Sequence, residues 1–371
     1  MTNENKIRVA LVFGGRSSEH AVSCSTAASV LEAIDRDRYE VVPVGIARDG
    51  RWVLVPDDAA PLRLTASNTP SVPDTGAAVV VQASTAEHQL TVLEPGQVPR
   101  SLGEVDVVFP LLHGPFGEDG TIQGMLELAD VIYVGSGVAA SAVMMDKHLM
   151  KVVFEASGLP VGPYAVITDR DWRQDPEAAL DRAEGLGWPV FVKPARAGSS
   201  MGVAKARSRQ ELRAAVEGAR DHDPKVVVEA AIIGREIECG VLEGHGLDAP
   251  RTSVLGECRV VTGHEFYDFD AKYIHAEDVA LDCPADLPAE VSDEIRALAV
   301  RAFEAAGCEG LARCDFFYTD DGRILLNEIN TMPGFTPTSM YPRMWAATGI
   351  AYRELIDELI ALALERRVGL R

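Results

Sequence analysis

The chain has no paired-cysteine motif, no long apolar run and too little positive charge for a polyanion binder. Its six cysteines are scattered without CxxC spacing, so neither a zinc site nor a disulfide framework is indicated. No stretch could span a bilayer, and the N-terminus is too polar for a signal peptide. A net charge of −21 argues against nucleic acid or an anionic membrane as partner. We therefore expect a cytoplasmic protein with small-molecule substrates.

The chain also lacks the best-known nucleotide-binding motifs. The glycine turn after the first apolar strand is not GxGxxG, and the small-residue loop at 197–202 is not a Walker A loop, because its lysine precedes it on a strand. What is present at 6–46 is strand, glycine turn, helix, strand, which indicates a parallel α/β unit. Residues 56–100 have little pattern beyond short strands at AAVVVQ and QLTVLE. The length of 371 residues suggests two or three domains.

A hairpin is predicted near the C-terminal end, where the apolar runs CDFFYT and RILLNEI flank Asp321-Gly322. That dipeptide favours a two-residue turn, whose register places Asp315 opposite Glu328. Facing carboxylates repel each other, and a hard cation such as Mg²⁺ would relieve the repulsion. The same pair is equally compatible with one buried protonated acid beside one solvated acid, without a metal ion. A three-residue turn would break the pairing.

Other polar residues stand where α/β proteins bind ligands, although each has a structural alternative. His113 follows an apolar strand at its C-terminal end, a usual ligand position. Glu19 near a helix start could instead provide first-turn electrostatics. Residues 141–159 are predicted to form one amphipathic helix, on which Lys147 and Lys151 could simply be solvated. The loop at 197–202 could wrap a phosphate or be a plain Gly/Ser hairpin, and the aromatic stretch FYDFDAKY indicates a functional cover.

Six motifs in order resemble the D-alanine–D-alanine ligase family of the ATP-grasp superfamily. They are GGRSSEHAVS, LLHGPFGEDGTIQG, MDK, VKPARAGSSMGV, FYDFDAKY and RCDFF…NEINTMPGFTPTSMYP. The similarity covers nearly the whole chain except about 56–100. It implies a Rossmann-like (pre-ATP-grasp) α/β domain at 1–136, followed by a two-subdomain ATP-grasp fold divided into 137–228 and 229–371.

The resemblance also implies a reaction, in which ATP converts one D-alanine to an acyl phosphate and the amine of a second D-alanine displaces phosphate. It implies ATP, Mg²⁺ or Mn²⁺ with two ions expected, and a homodimer. The implied metal ligands are Asp315, Glu328 and Asn330. The residues implied around the nucleotide are Lys147, Lys193, Ser200, Glu229, Ala230, Ala231, Ile232, Glu236, Lys272, Phe317 and Asn327. Those implied around the D-alanines and the reacting carbonyl are Glu19, His113, Ser199, Tyr273, Arg313, Gly334, Ser339 and Met340.

The resemblance assigns a more specific role to some of these residues. Glu229 would meet the adenine amino group and Glu236 the ribose hydroxyls, with an apolar hinge at 230–232 offering backbone hydrogen bonds. Arg313 and the N–H of Gly334 would stabilise the tetrahedral oxyanion, for which preorganised donors are needed.

The sequence departs from the family pattern at three positions and leaves other functions open. Ala21, Ala195 and Ala197 stand where the family commonly has Glu, Ser and Glu. None of them removes a catalytic group in this mechanism. The intact FYDFDAKY favours an amine acceptor, while D-lactate or D-serine remains an alternative. A nucleotide-binding protein without catalysis is the alternative of a different class.

Overall fold

The structure, a computed structural model, describes residues 6–65, 67–81, 89–93, 98–199, 201–260 and 279–366. The strands described there form three sheets. The helices are α1 His20–Ala33, α2 Thr121–Leu128, α3 Val138–Met145, α4 Lys147–Ala156, α5 Asp169–Gln174, α6 Pro176–Glu184, α7 Arg209–Arg220, α8 Ala289–Ala306, α9 Met340–Thr348 and α10 Tyr352–Glu365. None of these helices is both long and apolar enough to cross a membrane.

The first sheet has seven strands in the order β6-β5-β4-β3-β2-β1-β7. They are β1 Ile7–Gly14, β2 Tyr39–Ile46, β3 Trp52–Leu54, β4 Ala78–Val81, β5 Gln89–Leu93, β6 Arg100–Glu104 and β7 Val107–Pro110. β1 is parallel to β2 and β7, which confirms the predicted α/β unit. Every residue from 9 to 13 is buried, as expected of an apolar strand covered on both faces. The short strands predicted within 56–100 are also confirmed, as β4 and β5.

The single helix predicted over 141–159 is wrong, because the chain breaks at Asp146 into α3 and α4. The Asp146 carboxylate accepts hydrogen bonds from the backbone N–H groups of His148 and Leu149. It therefore caps the start of α4, and its extended backbone ends α3. A helix-capping residue inside an otherwise periodic stretch marks a boundary that periodicity alone does not reveal.

The second sheet is antiparallel, in the order β10-β9-β11-β8. Its strands are β8 Tyr164–Ile167, β9 Val190–Pro194, β10 Ala204–Ala206 and β11 Val226–Ala230. The third sheet is in the order β14-β13-β12-β15-β16. Its strands are β12 Gly234–Leu242, β13 Arg251–Val260, β14 Val279–Asp282, β15 Leu311–Thr319 and β16 Ile324–Asn330. The bounds proposed for the three domains stay predictions.

Two packing contacts join the sheets. Leu355 and Leu359 of α10 lie in the same buried cluster as Leu11 of β1 and Phe109 of β7, so the last helix completes the core of the first sheet. Phe154 of α4 belongs to the cluster that packs on the third sheet. Residues of all three sheets or their flanking loops line one cleft.

Candidate active site

A cleft of about 1570 Å³ opens between the three sheets. Among its lining residues are all of the predicted site residues that the structure describes. These are Glu19, His113, Lys147, Lys193, Ser199, Glu229, Ala230, Ala231, Ile232, Glu236, Arg313, Asp315, Phe317, Asn327, Glu328, Asn330, Gly334, Ser339 and Met340. Ser200, Lys272 and Tyr273 lie outside the described residues.

Glu19 projects into the cleft from the start of α1. Its side chain makes no capping hydrogen bond to the helix. The hydroxyl of Ser199 donates a hydrogen bond to Glu19 Oε1. Two glycines from separate loops leave room for the carboxylate: a Cβ atom at Gly198 would lie 2.5 Å from Glu19 Oε2, and one at Gly114 would lie closer still. The result is a buried carboxylate suited to a substrate ammonium group.

His113 is buried beside Glu19 and has a partner that the sequence analysis missed. Its Nδ1 lies 3.2 Å from the carbonyl oxygen of Met332 and 3.5 Å from Glu118 Oε1. Burial alone would lower the pKa of His113, but the hydrogen bond and charge of Glu118 raise it above its usual value. Burial raises the pKa of Glu118. The only sequence signal for Glu118 was its place five residues after His113 in one turn.

Glu229 is held between two lysines on the floor of the cleft. Its Oε2 lies 2.5 Å from Lys193 Nζ and its Oε1 lies 2.9 Å from Lys151 Nζ. Burial opposes ionisation, yet the two ammonium groups hold the pKa of Glu229 well below its usual value. Lys151 is 2% exposed, so the interpretation of it as solvated is wrong. Its four-residue spacing from Lys147, along a helix with a buried face, was the available signal.

Backbone groups form the rim of the same region. Lys147 Nζ donates to the carbonyl oxygen of Ala197 at 2.9 Å, and its backbone N–H donates to the carbonyl of Ala195. These two of the three alanines that depart from the family pattern therefore act here through their carbonyl groups.

In the hinge, the N–H groups of Ala230 and Ala231 donate to the carbonyl oxygens of Pro163 and Pro189. Backbone contacts to a nucleotide would therefore come from the hinge carbonyls or from the N–H of Ile232.

The predicted two-residue turn of the hairpin is wrong, although the pairing derived from it is right. Thr319 pairs with Arg323 around a three-residue loop, and Gly322 adopts the left-handed conformation with a φ of 82°. The strands stay one residue out of the predicted register as far as Leu326. A bulge at Asn327 then restores the register, so that Asp315 faces Glu328.

Arg313 and Asp315 form a close ion pair at the centre of this sheet. Arg313 Nε and Nη2 each lie 2.7 Å from an Asp315 oxygen, and Asn330 Nδ2 donates to Asp315 Oδ2 at 3.0 Å. Burial, together with the neighbouring Glu238 and Glu328, raises the pKa of Asp315 to about 7 although Arg313 opposes the shift. A carboxylate crowded by other acids is one that a divalent cation would stabilise in its charged form.

The donor set fits Mg²⁺ or Mn²⁺ bound jointly by protein and substrate. No cluster of three or more His, Cys, Asp or Glu side chains suited to a metal occurs within the described ranges. An ion at the hairpin would use the oxygens of Asp315, Glu328 and Asn330, and its other ligands would be phosphate oxygens and water. Mg²⁺ is commonly held in this way, by one or two carboxylates and substrate phosphates.

The segment after β16 closes the far end of the cleft. Ser339 stands at the N-terminus of α9, where its hydroxyl lies 3.2 Å from the backbone nitrogen of Thr336 and 2.9 Å from Thr336 Oγ1. A Cβ at Gly334 would lie 3.2 Å from Ser339 Oγ, so a larger residue would crowd this turn. The N-terminus of α9, at Met340, offers backbone N–H groups to a carboxylate.

The second and third sheets enclose a cleft that has lysines on one side and a carboxylate hairpin on the other. An α/β domain precedes them in the chain. This arrangement defines the ATP-grasp fold. Comparison with known families and structures narrows this class. The family described as "D-ala D-ala ligase N-terminus" matches residues 8–136, and "D-ala D-ala ligase C-terminus" matches residues 153–361.

Curated relatives and solved structures agree with these matches. The chain is 63% identical over 367 residues to a "D-alanine--D-alanine ligase" of Arthrobacter sp. (strain FB24), covering 99% of this chain and 96% of the relative. "VanG D-Ala:D-Ser Ligase" from Enterococcus faecalis superposes with a TM-score of 0.82 at 35% identity, covering 97% of this chain and all of that one. The "D-alanine-D-alanine ligase" from Coxiella burnetii has a TM-score of 0.78 at 34% identity, with coverages of 97% and 94%. The chain belongs to the D-alanine–D-alanine ligase family.

Proposed function

We propose that this protein ligates two D-alanine molecules at the expense of ATP and so supplies D-alanyl-D-alanine for peptidoglycan precursors. The observation that carries the proposal is the convergence of three functional groups in one cleft: Glu19, the Glu229–Lys193 pair and the Arg313–Asp315–Glu328 hairpin. Each comes from a different sheet or its flanking loops. Family membership over nearly the whole chain supports the same reaction.

In the first step, Glu19 binds the ammonium group of one D-alanine and keeps it away from water. A carboxylate oxygen of that D-alanine attacks the γ-phosphorus of ATP, the bond to ADP breaks, and an acyl phosphate forms. Lys147 and Lys193 offset the charge on the phosphate oxygens, while Glu229 accepts a hydrogen bond from the adenine amino group. A divalent ion held by the hairpin, Mg²⁺ or Mn²⁺ with two ions expected, would supply further charge neutralisation.

In the second step, the amine of the other D-alanine attacks the acyl carbon and phosphate leaves from the tetrahedral intermediate. Arg313 and the N–H of Gly334 donate hydrogen bonds to the oxyanion. Ser339 and the start of α9 bind the carboxylate of this second D-alanine. A cleft filled by both substrates would exclude water, which would otherwise hydrolyse the acyl phosphate.

The decisive assay combines enzyme, ATP, Mg²⁺ and D-alanine, and measures phosphate release together with dipeptide by mass spectrometry. We expect both to require D-alanine. Absence of D-alanine-dependent phosphate release would favour the non-catalytic alternative. D-serine is a second candidate acceptor because of the similarity to a D-Ala:D-Ser ligase. D-serine and D-lactate should therefore be assayed in competition with D-alanine across a pH range. Preferential formation of the depsipeptide or the mixed dipeptide would overturn the proposed acceptor.

The metal role of the hairpin has its own test. Glu328→Gln should raise the Mg²⁺ concentration needed for half-maximal activity by about tenfold, because one charged ligand is lost. Asp320→Asn, at the exposed tip of the same hairpin, is the matched control and should behave as wild type. Unaltered Mg²⁺ dependence in Glu328→Gln would remove the hairpin from the metal site.

We further propose that the enzyme acts in the cytoplasm as a homodimer. The unpaired state of all six cysteines supports a reducing compartment. Light scattering of the purified protein tests the oligomeric state, and a monomer at micromolar concentration would contradict the dimer.

A further inference from the structure

Three carboxylates stand side by side across the third sheet. Glu238 of β12 pairs with Asp315 of β15, and Asp315 pairs with Glu328 of β16. Directly paired residues of neighbouring strands place their side chains on the same face, so the three acids form one row that lines the cleft. Like charges in this arrangement repel, and a cation within each adjacent pair relieves the repulsion. A divalent ion would serve the pair of Asp315 and Glu328.

Arg313 is the cation between the first two acids. Its Nε lies 2.7 Å from Asp315 Oδ1 and 3.1 Å from Glu238 Oε2. With Asp315 the guanidinium makes two aligned hydrogen bonds. With Glu238 it makes a charge contact only, because Glu238 Oε2 is buried and accepts no hydrogen bond within the described part of the chain. Asp315 is therefore the main partner of Arg313 in this structure, and Glu238 is a second carboxylate within reach of the same guanidinium.

Glu238 itself is fixed in place. It is 7% exposed, and its Oε1 lies 3.2 Å from the thiol Sγ of Cys258, which donates a hydrogen bond to it. That bond occupies one carboxylate oxygen and leaves the other directed at Arg313. A buried acid with one oxygen unsatisfied is costly, which indicates a state in which that oxygen is used.

We infer that Glu238 is a positioning residue that retains Arg313 at the peptide-forming end of the cleft when a divalent cation takes up Asp315. The inference rests on the proposed ligase function. The cation and Arg313 compete for the same Asp315 oxygens. Without a second carboxylate, Arg313 would either stay on Asp315 and oppose the cation or be left as a buried unpaired charge. Glu238 removes both difficulties, since its Oε2 can accept a hydrogen bond from Arg313 when Asp315 no longer does.

The test is Glu238→Gln, which keeps the shape of the side chain and removes its charge. ADP binding is measured by calorimetry over a series of Mg²⁺ concentrations, which needs no turnover. We expect the half-saturating Mg²⁺ concentration to rise at least fivefold, with ADP affinity at saturating Mg²⁺ changed less than twofold. In steady-state kinetics, kcat should fall at least tenfold while the KM for ATP stays within twofold. Glu238→Asp, which keeps the charge but shortens its reach, should lie between wild type and Glu238→Gln.

Two further variants separate positioning from general damage. Glu257→Gln removes the same charge from another buried carboxylate of this sheet that binds an arginine, since Glu257 contacts Arg235 at 2.6 and 2.8 Å. It should lower thermal stability without shifting the Mg²⁺ dependence. In an Arg313→Ala background, Glu238→Gln should reduce kcat no further, because it acts through Arg313.

The outcomes are distinguishable. The inference is overturned if Glu238→Gln changes both the Mg²⁺ dependence and kcat less than twofold, or if Glu257→Gln shifts both equally. A wild-type protein that binds Mg²⁺ and ADP but makes no dipeptide would refute the proposed function. The Mg²⁺ titration would still decide whether Glu238 holds Arg313 when the ion takes up Asp315.

Discussion

Gly198→Ala should weaken D-alanine binding more than it weakens the fold. A Cβ at this position would lie 2.5 Å from Glu19 Oε2, and ordinary contact begins at 3.4 Å, so the carboxylate oxygen must move by about 1 Å. The atom that moves is the end of a side chain, and the backbone at Gly198 needs no left-handed conformation. The cost to stability is therefore about one hydrogen bond to Ser199, or ~1 kcal/mol.

The functional cost of the same displacement is larger. The proposed charge-assisted contact between Glu19 and the ammonium group of D-alanine should contribute about 1.5–3 kcal/mol. Its loss corresponds to a rise of about ten- to a hundredfold in the KM for the first D-alanine. The factor by which the KM for ATP changes should be at least ten times smaller than the factor for D-alanine. Steady-state phosphate release, with D-alanine and ATP varied in turn, measures both constants.

Two further glycines provide controls. Gly114→Ala crowds the same Glu19 oxygen but also forces a side chain into a φ of 71°, so it should lower the melting temperature as well as raise the KM. Gly124→Ala lies in α2 with no atom near its added methyl, so it should leave kinetics unchanged and add about 0.5–1 kcal/mol of stability. A D-alanine KM within twofold of wild type in both Gly198→Ala and Gly114→Ala would refute the assignment of Glu19.

Three other outcomes are expected. Lys151→Met should raise the KM for ATP about tenfold in steady-state assays, because Lys193 alone must then both neutralise Glu229 and bind phosphate. An unchanged KM would show that Lys151 contributes only to packing. Arg313→Ala should retain ATP binding by calorimetry yet lose about a hundredfold or more in kcat, as removal of an oxyanion donor does, and a normal rate would exclude that role. His245→Asn should lower thermal stability at pH 6 by less than about 1 kcal/mol and have no effect near pH 9, and an equal loss at both pH values would contradict its ion pairs.

The direction of the His245 effect follows from its neighbours. Glu365 and Glu358 lie 2.7 and 3.1 Å from its two ring nitrogens, and their hydrogen bonds raise the pKa of His245 in the folded protein. A raised folded-state pKa stabilises the protein fully below the unfolded value of about 6.5. The stabilisation is lost as the pH rises through the folded-state pKa.

Local patterns anticipated much of the fold, while the resemblance to the ligase family supplied most of the candidate site residues. Apolar runs identified the parallel strands of the first sheet, and two further runs around Asp321-Gly322 identified the hairpin. The turn of that hairpin was predicted wrongly because Asp321-Gly322 is compatible with two loop lengths. The pairing survived because the bulge at Asn327 cancels the error, and no local signal marks a bulge there.

The remaining misses depend on contacts between distant segments. Glu238 comes next to Arg313 only through the register of β12 against β15, and about seventy residues separate the two strands in the chain. Lys151 is buried only because Glu229 arrives from β11 to neutralise it. Such pairings follow from the topology of the sheets, which the pattern of a single segment does not contain.

The packing of α10 on the first sheet has a consequence for synthesis of the protein. Leu355 and Leu359, close to the end of the chain, fill a core whose other members include Leu11 and Phe109. Domains generally fold in order as they leave the ribosome, the N-terminal one first. Here the first sheet to emerge lacks part of its core until α10 has been made. The nascent N-terminal region therefore exposes an apolar surface until the ribosome has synthesised α10, more than two hundred residues after β7.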